Sequence, residues 1–187
     1  MPPDAARRSD RSRRAILVAA LELVEALGYS RLTIEAVAAR AGVGKQTIYR
    51  WWPSKGPLLF DALVEFGPSE PDAAPTGVLA VDLKRELRAA AEELAERRFD
   101  QVCRVLVHEA RTDLVTLLLM PRRVLVEERL RTAQRLGEVP ADVDVSAAAE
   151  LLLGPVHQRW FLRTAPLTGE FTDAVVDLVI RALTARP

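Results

Sequence analysis

The sequence predicts an all-α protein. Ala, Leu, Arg and Glu, all strong helix formers, recur through the 187 residues. Apolar side chains fall three, four and seven residues apart, the period of a helix with one buried face. No stretch alternates Val, Thr and Tyr with polar residues as a half-buried strand would. A hydrophobic content of 49% is enough to fill a sizeable core in one or two domains.

Residues 1–9, MPPDAARRS, lack apolar periodicity and read as a flexible basic arm. A helix follows from about Asp10, with Ile16, Ala20, Leu23, Val24 and Leu27 on one stripe and Gly28 closing it. Thr33 is placed to cap a short helix whose inner face is Ile34, Val37, Ala38 and Ala41. Gly42 breaks that helix and Val43 follows as an apolar plug. A second short helix runs from about Gly44 to Trp51, where Pro53 stops it. Ser54 is placed to cap a fourth helix, with Leu58, Leu59, Ala62, Leu63 and Phe66 on its inner side. The segment GPSEPDAAPTG, 67–77, is the clearest break in the chain, with three prolines and two glycines. Beyond it, helices are expected at about 77–98, 100–111, 113–136, 145–163 and 171–185, about nine helices in all. Pro121 and the Gly154-Pro155 pair are expected to bend or interrupt theirs, and Asp144 to cap the helix that follows it.

Net charge is zero, but its distribution is uneven. Residues 1–55 hold 10 Lys and Arg against 5 Asp and Glu, and residues 56–187 hold 16 against 21. A basic head on an acidic body implies that only the head meets a polyanion. One cysteine, Cys103, excludes an intrachain disulfide framework and a Cys-based zinc site. The basic start has no signal-peptide h-region, and no apolar run reaches the roughly 18 residues that cross a bilayer, so the expected location is the cytoplasm, with no membrane partner.

Chemistry concentrates in GVGKQTIYRWW, 42–52. Two short helices joined by a tight Gly-containing turn make a helix-turn-helix unit. Val43 and Ile48, joined by Trp51, point inward, and Trp52 fills the junction with the fourth helix. Lys45, Gln46, Thr47, Tyr49 and Arg50 must then point outward. The N-terminal part of such a helix enters the major groove, where an amide pairs with adenine and a lysine reaches guanine O6 and N7. Thr47, Tyr49 and Arg50 suit phosphates, and Tyr49 can also pack on a thymine methyl. Thr33 offers a hydroxyl and backbone N–H groups to a phosphate, and Lys55, in the first turn of the fourth helix, offers a cation beside free N–H groups. Arg7, Arg8, Arg11, Arg13 and Arg14 can extend the contact along the backbone or minor groove.

From about Arg11 to Phe66 the sequence resembles the DNA-binding domain of the tetracycline-repressor (TetR) family. The stretch LTIEAVAARAGVGKQTIYRWWPSKGPLL carries the likeness, with Gly28-Tyr29 before it and Tyr49, Pro53, Ser54 and Lys55 at its end. The resemblance implies that Lys45, Gln46 and Tyr49 face bases and that Thr33, Thr47, Arg50 and Lys55 face phosphates. Gly44 departs from the family, where a capping Ser or an acidic residue is common, and Trp51-Trp52 replaces a commoner His or Phe pair. The resemblance further implies an N-terminal three-helix DNA-binding domain, 10–55, and a C-terminal helical ligand-binding and dimerisation domain, 56–187. The last two long helices would pair with those of a second copy to form a homodimer.

The body agrees with that. VSAAAELLLGPVHQRWFL and FTDAVVDLVIRAL are apolar on more than one face, and Ala147, Ala148, Ala149 and Gly154 permit close helix approach. Candidate lining residues for an effector pocket are Cys103, Val107, Leu118, Met120, His157, Trp160 and Phe161, of which His157 and Trp160 each put a polar tip in an apolar setting. Few aromatics and no strong charge cluster point to an apolar or mixed small-molecule effector. Enzyme signatures are missing. HEART, 108–112, lacks the second histidine of a zinc-protease helix. Cys103 and His108 are too far apart on one helix to pair, and there is no phosphate-binding Gly-rich loop, no G-x-S-x-G and no calcium loop. No cofactor, metal or catalytic residue is expected. The function the sequence supports is a regulator, most readily a repressor, that binds a near-palindromic operator in double-stranded DNA and is released by a small molecule. The alternative is a DNA-binding regulator, repressor or activator, with no ligand.

Overall fold

The computed structural model describes residues 3–66 and 74–184, with side chains from Arg7 onward. Among these residues there are nine α-helices, one 3-10 turn and no strand. The helices are α1 (Pro3–Leu27), α2 (Ile34–Ala41), α3 (Lys45–Tyr49), α4 (Lys55–Phe66), α5 (Leu79–Ala95), α6 (Arg97–His108), α7 (Thr112–Arg135), α8 (Val145–Leu162) and α9 (Gly169–Thr184), with the 3-10 turn at Tyr29–Arg31. They gather into two compact units. The first holds α1 to α4, α6 and the start of α7 as far as Leu118. The second holds α5, the rest of α7, α8 and α9.

In the first unit, α1 packs on α2, α4 and α6, and α4 packs on α6. The apolar stripe of α1 supplies Ile16, Ala20 and Val24 as expected, and Leu17 is also fully buried, while Leu27 at the helix end is exposed. Val37, Ile48, Leu58, Leu59, Val102, Cys103 and Leu106 complete the core. Arg98 of α6 reaches Glu25 of α1 at 2.5 Å.

In the second unit, α5 packs on α8 and α9, and α8 packs on α9. Leu83 and Leu87, Val126 and Leu130, Leu152 and Val156, and Val176 are fully buried. The unit also buries charge. Arg122 of α7 donates to Glu86 of α5 at 2.9 Å and to Glu93 at 3.4 Å, and Arg129 donates to the other Glu86 oxygen at 3.4 Å. Asp82, one turn before Glu86, accepts from the Thr76 N–H at 2.9 Å, from the Thr76 hydroxyl at 2.9 Å and from Arg85 at 3.0 Å. Burial alone would raise the Asp82 pKa. The Thr76 donors, with Arg85 and Arg129, outweigh it and hold the carboxyl below its ordinary range. The body therefore does contain a charge cluster, contrary to the reading of the sequence. Its members come from two helices far apart in the chain, so no local run of charge announces it.

Three other expectations change. The helix of α1 begins at Pro3, so residues 3–9 are helical; proline is at home in a first turn, and Ala5, Ala6, Arg7 and Arg8 favour helix once nucleated. Residues 1–2, 67–73 and 185–187 lie outside the described residues. The break expected near residue 99 falls at Glu96, whose backbone is extended. Helices α7 and α8 run unbroken through Pro121 and Pro155. Each proline deprives one carbonyl of its partner, that of Leu117 or Leu151. Both residues are exposed, so water can satisfy the orphaned oxygens.

Exposed and buried ion pairs should separate in stability measurements. Arg122→Ala leaves Glu86 buried without its closest partner and is expected to cost about 3–5 kcal/mol. Arg88→Ala removes the exposed pair with Asp173, which solvent screens, and is expected to cost far less. Denaturant unfolding of both variants checks the ordering, and equal costs would contradict it.

Candidate nucleic-acid interface

The local chemistry of the α2–α3 unit follows from a few positions. Thr33 caps α2, its hydroxyl accepting from the Ala36 N–H at 3.1 Å. Gly42 closes α2 at φ 68° and ψ 33°, a left-handed conformation glycine adopts without strain. Gly44 starts α3 with no side-chain cap. Ile48 is fully buried and Val43 half-buried. Trp52 is also buried, and its indole N–H donates to Asp61 of α4 at 2.8 Å. Trp51 is only half-buried and lies edge-on to Trp52, so Trp52 rather than Trp51 joins the core.

With Ile48 and Trp52 turned in, Lys45, Gln46, Tyr49 and Arg50 are exposed together on α3, and Thr47 is half-buried. None of the three cations around this face is idle. Lys45 pairs with Glu35 of α2 at 3.0 Å, and both side chains are exposed. The backbone N–H of Glu35 itself, and then Lys45, hold the Glu35 carboxyl below the usual carboxylate range. The Arg50 guanidinium lies 5.1 Å from the Trp51 ring centroid. Lys55 donates to the Leu32 carbonyl at 2.9 Å and approaches the Tyr29 carbonyl at 3.4 Å, its ammonium 4.0 Å from the Tyr29 ring centroid. An ammonium has three donors, so this leaves Lys55 able to make one more bond.

Thr33, Tyr49 and Lys55 line one open groove, together with Glu35, Ser54 and Glu109. Sequence reasoning missed both carboxylates. Glu35 could have been found from its place in the first turn of α2, beside the start of α3. Glu109 comes from the turn just after α6 and gives no signal in the sequence. The five N-terminal arginines separate. Arg13 forms ion pairs with Glu65 and Asp61 of α4, and Arg14 lies over the Phe66 ring, so these two fasten α1 to α4.

Comparison with known proteins identifies the architecture. Residues 16–62 match the family model for bacterial regulatory proteins of the tetR family, and residues 73–179 match that for the tetracyclin repressor-like C-terminal domain. The chain belongs to the TetR family of transcriptional regulators. It is 30% identical over 182 residues to the DNA-binding transcriptional repressor TetR of Mycobacteroides abscessus, covering 94% of this chain and 95% of the relative. It is 28% identical over 183 residues to the HTH-type transcriptional regulator YdeS of Bacillus subtilis, covering 94% and 89%. The crystal structure of the TetR-family regulator SCO0332 superposes with a TM-score of 0.70 at 34% identity, covering 94% of this chain and 99% of that one. The family and these relatives are transcription regulators, not enzymes. Among the described residues no helix is long and apolar enough to cross a membrane.

In TetR-family terms the remaining candidates belong to the body, and they divide between the two units. Cys103 and Val107 on α6 and Leu118 on α7 belong to the first, Cys103 fully buried and the other two half-buried. Met120 on α7, with His157, Trp160 and Phe161 on α8, belongs to the second. There, Trp160 is buried, while Met120 and Phe161 are exposed. Burial pushes the His157 imidazole below its ordinary value. The unfolded chain then takes up a proton near pH 6.5 that the folded chain resists. Stability tied to neutral His157 is therefore complete above that pH and is lost as the pH falls through it. The thermal midpoint should drop more between pH 7.5 and 5.5 in the parent than in His157→Gln; equal drops would contradict the assignment.

Proposed function

We propose that the protein is a homodimeric, ligand-responsive repressor that grips a near-palindromic operator through α3 of each subunit. The observation that carries the reading is the exposed set Lys45, Gln46, Tyr49 and Arg50 on a helix whose Ile48 is fully buried. Lys45, Gln46 and Tyr49 read base edges. Thr33, Thr47, Arg50 and Lys55 hold phosphates, Lys55 through the donor its carbonyl bonds leave over. Residues 10–55 act as the DNA-binding domain and 56–187 as the ligand-binding and dimerisation domain.

Two observations support a dimer through α8 and α9. Leu151 and Leu178 are 61% and 63% exposed, and Phe161 and Leu162 are exposed as well. A row of large apolar side chains on two adjacent helices favours a partner surface. Ala147 and Gly154 are exposed on α8, and a Cβ added at Gly154 would meet nothing within 4 Å, so a second helix could approach closely there. Two-fold symmetry then sets two α3 helices about one turn of DNA apart, roughly 34–36 Å.

Repression is supported by the name of the Mycobacteroides abscessus relative, a transcriptional repressor. Release by a small molecule requires the effector to bind more tightly when the two α3 helices are wrongly spaced for DNA, by a few kcal/mol. Within the second unit, His157 and Trp160 are the residues proposed to meet that effector. The site of action is the cytoplasm, where the DNA is.

Base readers and phosphate holders should fail differently. Gln46→Ala is expected to relax preference at particular base pairs, at about 1–3 kcal/mol each. Lys55→Ala is expected to weaken binding to every sequence alike and to make the salt dependence of log K shallower by about one unit. Titrations against duplexes of varied sequence and salt check both. If Lys45, Gln46 and Tyr49 can all be changed without altering the preferred sequence, the assignment of α3 is wrong.

A further inference from the structure

We propose that Glu109 is a negative determinant of DNA affinity, a carboxylate with no ion-pair partner among the described residues, which the turn after α6 places inside the groove where the DNA backbone seats. The inference rests on the reading of that groove as a phosphate seat. Its lining mixes donors suited to a phosphate, from Thr33, Ser54 and Lys55, with two carboxylates, Glu35 and Glu109. The two differ in how their charge is met. Glu35 is matched by Lys45 at 3.0 Å. Glu109 is half-buried and has no ion pair or side-chain hydrogen bond among the described residues. The nearest arginine along the chain, Arg111, gives both its Nε and an Nη to Asp113 at 3.1 Å and meets Glu109 only through its field, without a hydrogen bond. Lys55 gives two of its three donors to the Leu32 and Tyr29 carbonyls and none to Glu109.

Gly56 makes the position possible. A Cβ added at Gly56 would lie 2.5 Å from Oε2 of Glu109, so the carboxylate rests against the first turn of α4, directly after Lys55. A phosphate drawn to Lys55 and Thr33 has to share the groove with this charge. Like charges sharing one groove at a wet surface repel enough to lower affinity about threefold per subunit, or about tenfold for a complex with two such grooves. The repulsion is not specific to sequence, because it acts on the backbone, and it fades as salt rises.

The test uses the full-length protein with two probes, a random-sequence duplex and the duplex enriched by selection. Glu109→Gln and Glu109→Ala are both expected to tighten binding to the two duplexes by the same factor, about three- to tenfold at low salt, with the gain shrinking as salt rises. Glu109→Asp, which keeps the charge, is expected to stay close to the parent. Packing damage would weaken binding, so the sign of the change distinguishes charge from structure. Unchanged or weaker binding in both neutral variants, or a gain confined to the enriched duplex, overturns the proposal. Lys55→Ala, measured alongside, separates the two readings. If Lys55→Ala binds like the parent, the groove is not a phosphate seat. If it binds more weakly while both neutral Glu109 variants match the parent, only the role of Glu109 fails.

Discussion

A helix of five residues cannot hold itself together in water, because nucleation fixes more backbone than so few hydrogen bonds repay. α3 exists because Ile48 is fully buried and because Trp52, just beyond it, is pinned by an indole hydrogen bond to Asp61. Gly42 supplies the left-handed residue that turns the chain between α2 and α3. Once Ile48 and Trp52 face the core, helix geometry leaves Lys45, Gln46, Tyr49 and Arg50 no direction but outward. The displayed face and the buried face are therefore one constraint.

The electrostatics show two ways of holding charge. In the first unit, cations are tied by exposed, exchangeable pairs, as in Lys45 with Glu35 and Arg40 with Glu22. Pairs of this kind are worth about 1 kcal/mol or less, so a phosphate can displace the carboxylate at small cost. In the second unit, Arg122 and Glu86 are almost wholly buried and bonded to each other. Such a pair cannot be opened without stranding a charge in the interior. The second unit also carries exposed pairs, such as Arg88 with Asp173, so burial and not the unit sets how firmly a charge is held.

Most of the fold was legible because it rests on local signals. The cap at Thr33, the turn at Gly42, the stripe of Ile16, Ala20 and Val24, and the cap at Asp144 all stand where periodicity and capping chemistry put them. Long-range relations were not legible. Arg122 with Glu86, Trp52 with Asp61, and Glu109 against Gly56 each join residues with no pattern linking them in the chain. Proline was over-read, since Pro121 and Pro155 each orphan a carbonyl on an exposed face and leave the helix continuous. At the site, exposure on α3 followed from the register of Ile48. That Lys45 and Lys55 already have intramolecular partners did not, because those partners lie on other elements.

The central claim is that α3, displayed twice by a symmetric dimer, reads DNA. The direct test is selection of random duplex DNA by the purified protein, read by sequencing. The account predicts an enriched near-palindrome with half-sites about one helical turn apart. Enrichment of a single unrepeated half-site, or no enrichment at either low or moderate salt, would contradict it.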